Sequence, residues 1–323
     1  MNLHHLQRRR RVDNTGFDNT NQSGARIMAK NGRSNVEKTG IPWHQLYSTF
    51  HYLLDISWAK FLLWVFLFFF AVNGLFASIY YYLGTEAIGA GHDLSEWDKF
   101  SEAFFFSAQT ITSVGYGRLN PLGWGEGLVS SIEAFIGLLM FAVLTGVVYG
   151  RYSKPRAFLL FSKVALIAPF RGGKAFMFRL ASYKYNSLTE LEAEVFVSLE
   201  VENEGKIMRQ YYPLKLDFAK VTTLALNWTI VHPMDEESPI FEFDAENFEK
   251  AKVEILVFIK AFDEHFSNVV KEKTSYIASE IVHNAKFNPM FKQSADGTKT
   301  ILELDKIDDY LSLSYNQFPP DEQ

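Results

Sequence analysis

Hydrophobic and polar positions divide this chain into three textures. Residues 1–40 scatter Asn, Gly, Ser and Arg with no apolar period, and such a segment is expected to be disordered. Residues 61–83 and 127–149 are apolar runs of about the ~20 residues needed to cross hydrocarbon; the first carries no charge and the second only Glu133. From Ala157 onward the pattern shortens to alternating apolar and polar positions broken by turn residues. That texture predicts strands over residues 163–167, 175–182, 192–201, 206–214, 222–231, 253–262 and 274–283, with a hairpin around Asp296-Gly297. Regular short strands of this kind read as a β-sandwich. In the third of them Ala193, Val195, Val197 and Leu199 line one face and Glu192, Glu194 and Ser198 the other, with Phe196 the exception.

Two shorter segments flank or join the apolar runs. Over residues 43–58, Leu46, Phe50, Leu53 and Leu54 recur at helical spacing, with Gln45, Ser48, His51 and Asp55 between them. This is a helix lying in the bilayer interface or one packed on protein. Residues 98–110 (DKFSEAFFFSAQT) are too short to span and too apolar for a loop, so they predict a re-entrant helix beginning near Asp98 or Ser101. Tyr80, Tyr81 and Tyr82 place an aromatic belt at the end of the first run.

The stretch Thr112-Ser113-Val114-Gly115-Tyr116-Gly117 follows the re-entrant helix. A K⁺ filter replaces the ion's water shell with rings of backbone carbonyls contributed by four identical loops. Carbonyls can all face one axis only where some residues take backbone angles that side chains disfavour, hence Gly115 and Gly117. Val114 and Tyr116 would point away and wedge the loop against its own pore helix, and the Ser113 hydroxyl would add the innermost oxygen ring. Gly-Tyr-Gly alone carries no weight; the longer motif between two spans, after an apolar helix, does. Non-helical backbone at membrane depth is tolerated where it lines a water-filled path.

Composition and charge sharpen this picture. The 323 residues, 48% hydrophobic and 16% aromatic, suffice for a membrane part plus one soluble domain. A net charge of −5 argues against a nucleic-acid partner, and the absence of cysteine excludes disulfides and thiol chemistry. Basic residues cluster before the first span (Arg26, Lys30, Arg33, Lys38, Lys60) and after the second (Arg151, Lys154, Arg156), whereas the loop between them is acidic. Both termini are therefore expected in the cytoplasm, with the protein in the inner membrane. The implied divisions are a disordered N-terminus (1–40), an interfacial helix (41–58), a transmembrane pore (59–152), a cytoplasmic sandwich (153–305) and a C-terminal tail (306–323), expected to be mobile from Tyr310.

Interfacial helix, span, pore helix, Ser-Val-Gly-Tyr-Gly, a span ending Tyr149-Gly-Arg-Tyr-Ser-Lys-Pro155-Arg156, then a sandwich: over residues 41–305 this resembles the inward-rectifier potassium channels, in particular their prokaryotic branch. Phe178-Arg179-Leu180, Asn227-Trp228 and the turn Asp235-Glu-Glu-Ser-Pro239 add to the likeness. The resemblance implies a fold of membrane α plus all-β, with an immunoglobulin-like cytoplasmic domain, in a homotetramer whose pore continues into a cytoplasmic vestibule. It holds K⁺ ions in the filter and needs no other cofactor.

Position by position, the resemblance makes Tyr149 a gate at the inner bundle crossing, where an interface-belt tyrosine is the alternative. Phe141 falls at the cavity position, where an aromatic cannot hold a polyvalent blocker as a carboxylate would. Gly137 and Gly146 are hinge candidates or simply close-packing glycines. Glu133, a carboxylate within the second span, must be paired or wet, and its place suggests support behind the filter. Gln109 stands where many members carry Glu, and Arg118 follows the filter where many potassium channels carry Asp, so that Arg118 would repel cations modestly. Arg151, Lys154 and Arg156, with Lys38 and Lys60, lie where anionic lipid headgroups, phosphoinositides among them, would act, or are ordinary topology charges. Glu192 matches a vestibule-lining acid, or is a solvated strand face.

The expected function is passive K⁺ conduction gated by the cytoplasmic domain and anionic lipids. The alternatives are a poorly selective cation channel, because of Ser113, Gln109 and Arg118, and a membrane-anchored β-sandwich binding module. No metal-spaced histidine cluster, nucleophile elbow or phosphate loop supports an enzyme.

Overall fold

The computed structural model describes residues 26–37, 39–42, 49–91, 93–153, 155–185, 187–203 and 206–313. The expectations for residues 1–25, 43–48 and 314–323, and for Lys38 and Lys154, lie outside them. Two compact units result, one within residues 39–154, the other formed by the described residues before 38 and those from 155 onward.

The first unit is helical: α1 (Thr49–Asp55), α2 (Trp58–Leu83), α3 (Glu96–Ile111) and α4 (Trp124–Tyr152). Ser57 opens α2 by accepting the Lys60 amide at 3.5 Å. Ser95, ahead of the expected Asp98 or Ser101, opens α3 by accepting the Asp98 amide at 3.2 Å. With 26 and 29 residues, α2 and α4 are each long enough to cross hydrocarbon. Their shared apolar contacts run through α3: Phe76, Ala77 and Tyr80 of α2 bury against Ala103 and Phe106 of α3, together with Ile88 and Leu119.

The second unit is a β-sandwich. One sheet contains β1 (Leu159–Phe161), β2 (Ala165–Phe170), β3 (Gly173–Ser182), β7 (Asn227–Pro233) and β10 (Ile281–His283). In it β3 pairs antiparallel with β1, β2 and β7, while β2 and β10 run parallel. The other sheet contains β4 (Leu188–Asn203), β5 (Lys206–Pro213), β6 (Lys220–Thr223), β8 (Glu254–Asp263) and β9 (Asn268–Ile277), antiparallel throughout. The expected strand over 222–231 is thus two, and that over 274–283 breaks into β9, a 3-10 turn and β10. Val195, Val197 and Leu199 meet Phe176, Phe178, Leu180 and Ile230 in the core. The turn at residues 235–239 is pinned by buried His232, whose Nε2 lies 2.7 Å from Ser238 Oγ and whose Nδ1 lies 2.6 Å from the Lys215 carbonyl. A short helix α5 (Ala245–Lys250) follows that turn, and β12 (Phe291–Gln293) pairs β13 (Thr300–Leu302) as the expected hairpin.

Two expectations fail within the described residues. The tail from 306, expected to be mobile from Tyr310, is partly built in: β14 (Tyr310–Ser312) pairs β11 (Ala285–Phe287), and Ile307 is buried. Residues 26–37, expected to be disordered, fold onto the outer face of the β4–β8 sheet. Met28, 1% exposed, packs on Tyr211 and Leu256 beside Phe196 and Phe258. The exceptional Phe196 is therefore apolar because its face is covered. Polar low-complexity composition hid this, since the segment borrows its partners from the sheet: Glu254 accepts the amides of Ile27 and Met28 at 2.8 and 3.0 Å. Arg26 places two nitrogens on Glu280, each at 3.0 Å. Gly32, at φ +74°, lies where a Cβ would collide with the Lys273 carbonyl.

Met28→Ala should cost about 2–5 kcal/mol, read as a lowered unfolding midpoint of the full chain. Lys30 lies 3.5 Å from the Tyr276 ring centre and 3.5 Å from Glu280. Burial pushes it down to about 8, outweighing the attraction of Glu280, with Arg26 adding to the depression. An undocked lysine keeps its proton up to its ordinary pKa, so docking strengthens as pH rises from about 8 towards 10.5. A spin label at Val36→Cys should lose mobility over that range; no change would place Lys30 in water.

Candidate functional site

Residues 112–117 continue from the C-terminal end of α3. The Gln109 carbonyl accepts the Val114 amide at 3.0 Å and the Gly115 amide at 3.4 Å, so Gln109 acts on the stretch through its backbone. Positive φ recurs at every second residue: Ser113 at 59°, Gly115 at 52° and Gly117 at 78°. In an ordinary strand successive carbonyls point to opposite sides. Alternating the hand of the backbone turns them to one side, which requires residues that tolerate φ above zero. Two of the three are glycine, and Ser113 accepts the strain. Asn120 Nδ2 caps the last carbonyl, that of Gly117, at 3.0 Å. The amides of Asn120 and Leu122 bond the Ile88 and Ala87 carbonyls at 3.0 and 2.8 Å, tying the exit of the stretch to the loop after α2. Val114 and Tyr116 are 54% and 80% exposed in the single chain, not wedged against its own pore helix.

Behind the stretch Glu133 is fully buried. Tyr80 Oη donates to it at 2.6 Å, and the Ser107 hydroxyl, which also lies 3.1 Å from Asn73 Oδ1, bonds its other oxygen. One carboxylate thus joins α2, α3 and α4. Asn73 and Ser107 were detectable as polar residues inside apolar helices, yet sequence gave no partner for Glu133. Gly137 explains the close approach of α4: a Cβ there would collide with the Ile111 carbonyl, at the point where α3 ends. A Cβ added at Gly146 would meet nothing within 4 Å among the described residues outside its own stretch of helix. Close packing within the chain therefore accounts for Gly137, whereas Gly146 has no such contact within it.

The remaining candidates are dispersed. Phe141 and Tyr149, 73% and 72% exposed, lie along one stripe of α4 with Thr145 between them. Arg118 pairs with Glu102 of α3, so its charge at the end of the stretch is offset locally. Lys60 and Arg156 are exposed, whereas Arg151 is turned onto backbone carbonyls of Leu53 and Ile56. Glu192 lies between Lys220 at 2.9 Å and Lys260 at 3.8 Å; the Lys220 hydrogen bond holds its carboxyl below the usual range. Among the described residues no group of three His, Asp or Glu could hold a metal ion.

Residues 62–154 match the family described as ion channel, and residues 159–317 match the inward rectifier potassium channel C-terminal domain. The inward rectifier potassium channel Kirbac3.1 of Paramagnetospirillum magnetotacticum is 31% identical over 280 residues, 85% of this chain and 92% of its own. Inward rectifier potassium channel irk-1 of Caenorhabditis elegans is 25% identical over 289 residues, covering 82% of this chain and 53% of that one. G protein-activated inward rectifier potassium channel 2 of Pongo abelii is 25% identical over 326 residues, covering 93% and 73%. Two membrane-length helices, a re-entrant helix with its loop and a sandwich define a two-span channel subunit. The chain belongs to the inward rectifier potassium channel family, on the side of its prokaryotic members. It is a membrane ion channel and not an enzyme, which displaces the reading as an anchored binding module.

Gly137→Ala should force α4 away from the Ile111 carbonyl and lower thermal stability by about 1–3 kcal/mol, the usual cost of overpacking. Gly146→Ala should leave stability within ~0.5 kcal/mol. Equal effects in thermal unfolding would refute the packing assignment.

Proposed function

We propose that four copies of this chain surround an axis and conduct K⁺ passively, the carbonyls of residues 112–116 replacing the ion's water shell while Asn120 caps that of Gly117 at the end of the stretch. The observation that carries this reading is the alternation of positive φ at Ser113, Gly115 and Gly117, in a loop held between two membrane-length helices. The exposed Val114 and Tyr116 then find their packing partners on neighbouring copies. Both termini face the cytoplasm from the inner membrane, as the distribution of basic residues supports.

Tyr149 is the gate in this reading: four bulky rings on the exposed stripe of α4 close and dewet the path. Phe141 lines the cavity and brings no carboxylate to hold a polyvalent cation. Glu192, in the vestibule, has its charge offset by two lysines. Anionic headgroups meet Lys60 and Arg156, with Lys38 and Lys154, at about 1 kcal/mol per basic residue. The second reading, a poorly selective cation channel, loses part of its support because Glu102 offsets Arg118.

Purified protein in liposomes should take up K⁺ and Rb⁺ but little Na⁺, with Ba²⁺ blocking the uptake. Equal Na⁺ uptake would move the reading to a non-selective channel. Tyr149→Ala should raise K⁺ flux several-fold; unchanged flux at unchanged protein level would remove Tyr149 from the gate.

A further inference from the structure

We infer that Arg151 is a positioning residue that bolts the C-terminal end of α1 to the C-terminal end of α4, and is not a headgroup ligand. Its functional consequence rests on the gating proposed above. The described part of α1 ends at Asp55, and the carbonyls at a helix C-terminus lack helical partners. Arg151, 98 residues further on, supplies them: Nη1 donates to the Leu53 carbonyl, and Nη2 donates to the Ile56 carbonyl at 2.6 Å. A cation placed on a helix C-terminus is also favoured by the helix dipole.

The guanidinium is packed as well as bonded. Its central carbon lies 4.6 Å from the Trp58 ring centre and 4.7 Å from that of Phe61. Trp58 in turn touches Tyr152, with ring centres 5.1 Å apart. At Gly150 an added Cβ would stand 3.2 Å from Leu54 Cδ2, so α1 lies close against α4 at this turn. Both terminal nitrogens of Arg151 face protein carbonyls and its Nε is buried. The side chain is spent on α1. A lysine keeps the charge, yet its compact ammonium lacks the planar fork that spans these two carbonyls while stacking on an indole. Tyr149 is two residues away on the same helix, so a displacement of α1 reaches the gate through this bolt.

The test uses the full chain in liposomes, where the absence of native cysteine lets Tyr52→Cys carry a single spin label on α1. Arg151→Lys, Arg151→Gln and Trp58→Leu should each mobilise the label. The ratio of K⁺ flux at high and low anionic-lipid content should fall about ten-fold in each, the size of one charge-assisted hydrogen bond. Arg156→Gln should instead shift the lipid content needed while the label stays fixed. An immobile label and parental lipid response in Arg151→Lys, with a shifted response in Arg151→Gln, would make Arg151 a headgroup ligand and overturn the inference. A mobile label with an unchanged flux ratio would overturn the coupling. Ba²⁺-blocked flux of the parent tests the channel reading separately, and label mobility does not depend on it.

Discussion

At membrane depth no water is available for backbone amides and carbonyls, and residues 112–117 leave the helix there. The first unit is organised around supporting that departure. The C-terminal turn of α3 lends the Gln109 carbonyl to the first two loose amides, and Asn120 closes the last carbonyl. Gly137 gives up its side chain so that α4 can approach the end of α3. In the proposed channel the carbonyls between these two supports are the ones that meet the ion. Tight support at both ends is what allows a strained backbone to persist between them.

Buried carboxylates do the tying in both units. Glu133 joins three membrane helices through Tyr80 and Ser107. Glu254, 1% exposed, holds two consecutive amides of the 26–37 segment and lies 3.4 Å from buried Arg209. A charge removed from water is costly unless its lone pairs are used, so each carboxylate constrains every group that satisfies it. Truncating one partner leaves the penalty with the others. Such sites fix an arrangement more than they add to net stability.

The sequence showed most of what period and turn chemistry can show. The spans were legible as continuous apolar runs, the re-entrant helix as a shorter one, and the long strands of the sandwich from their short apolar segments between turn residues. The motif at 112–117 was legible because glycine at alternate positions has a backbone reason, and Ser113 shares that conformation without the residue type that advertises it. What stayed hidden depended on distant partners. Residues 26–37 show no period of their own; their order comes from Glu254, Glu280 and the covered face around Phe196. Arg151 looks like any basic residue after a span until α1 folds back to it. Family resemblance gave positions, and the fold gave physical partners to several of them, Glu133, Arg118 and Arg151 among them.

Charge placement along the proposed path follows from the same local pairing. Arg118 leans on Glu102, and Glu192 is held between Lys220 and Lys260. Exposed pairs of this kind contribute little to stability, about 0–1 kcal/mol each, yet they cancel the fields that single residues would cast. Beyond a Debye length of ~8 Å at physiological salt such neutralised pairs act weakly on an ion. Phe141 adds no charge to the stripe it occupies. Discrimination among cations on this path then falls to the geometry of the backbone oxygens, which the helix ends and the Glu133 network hold in place.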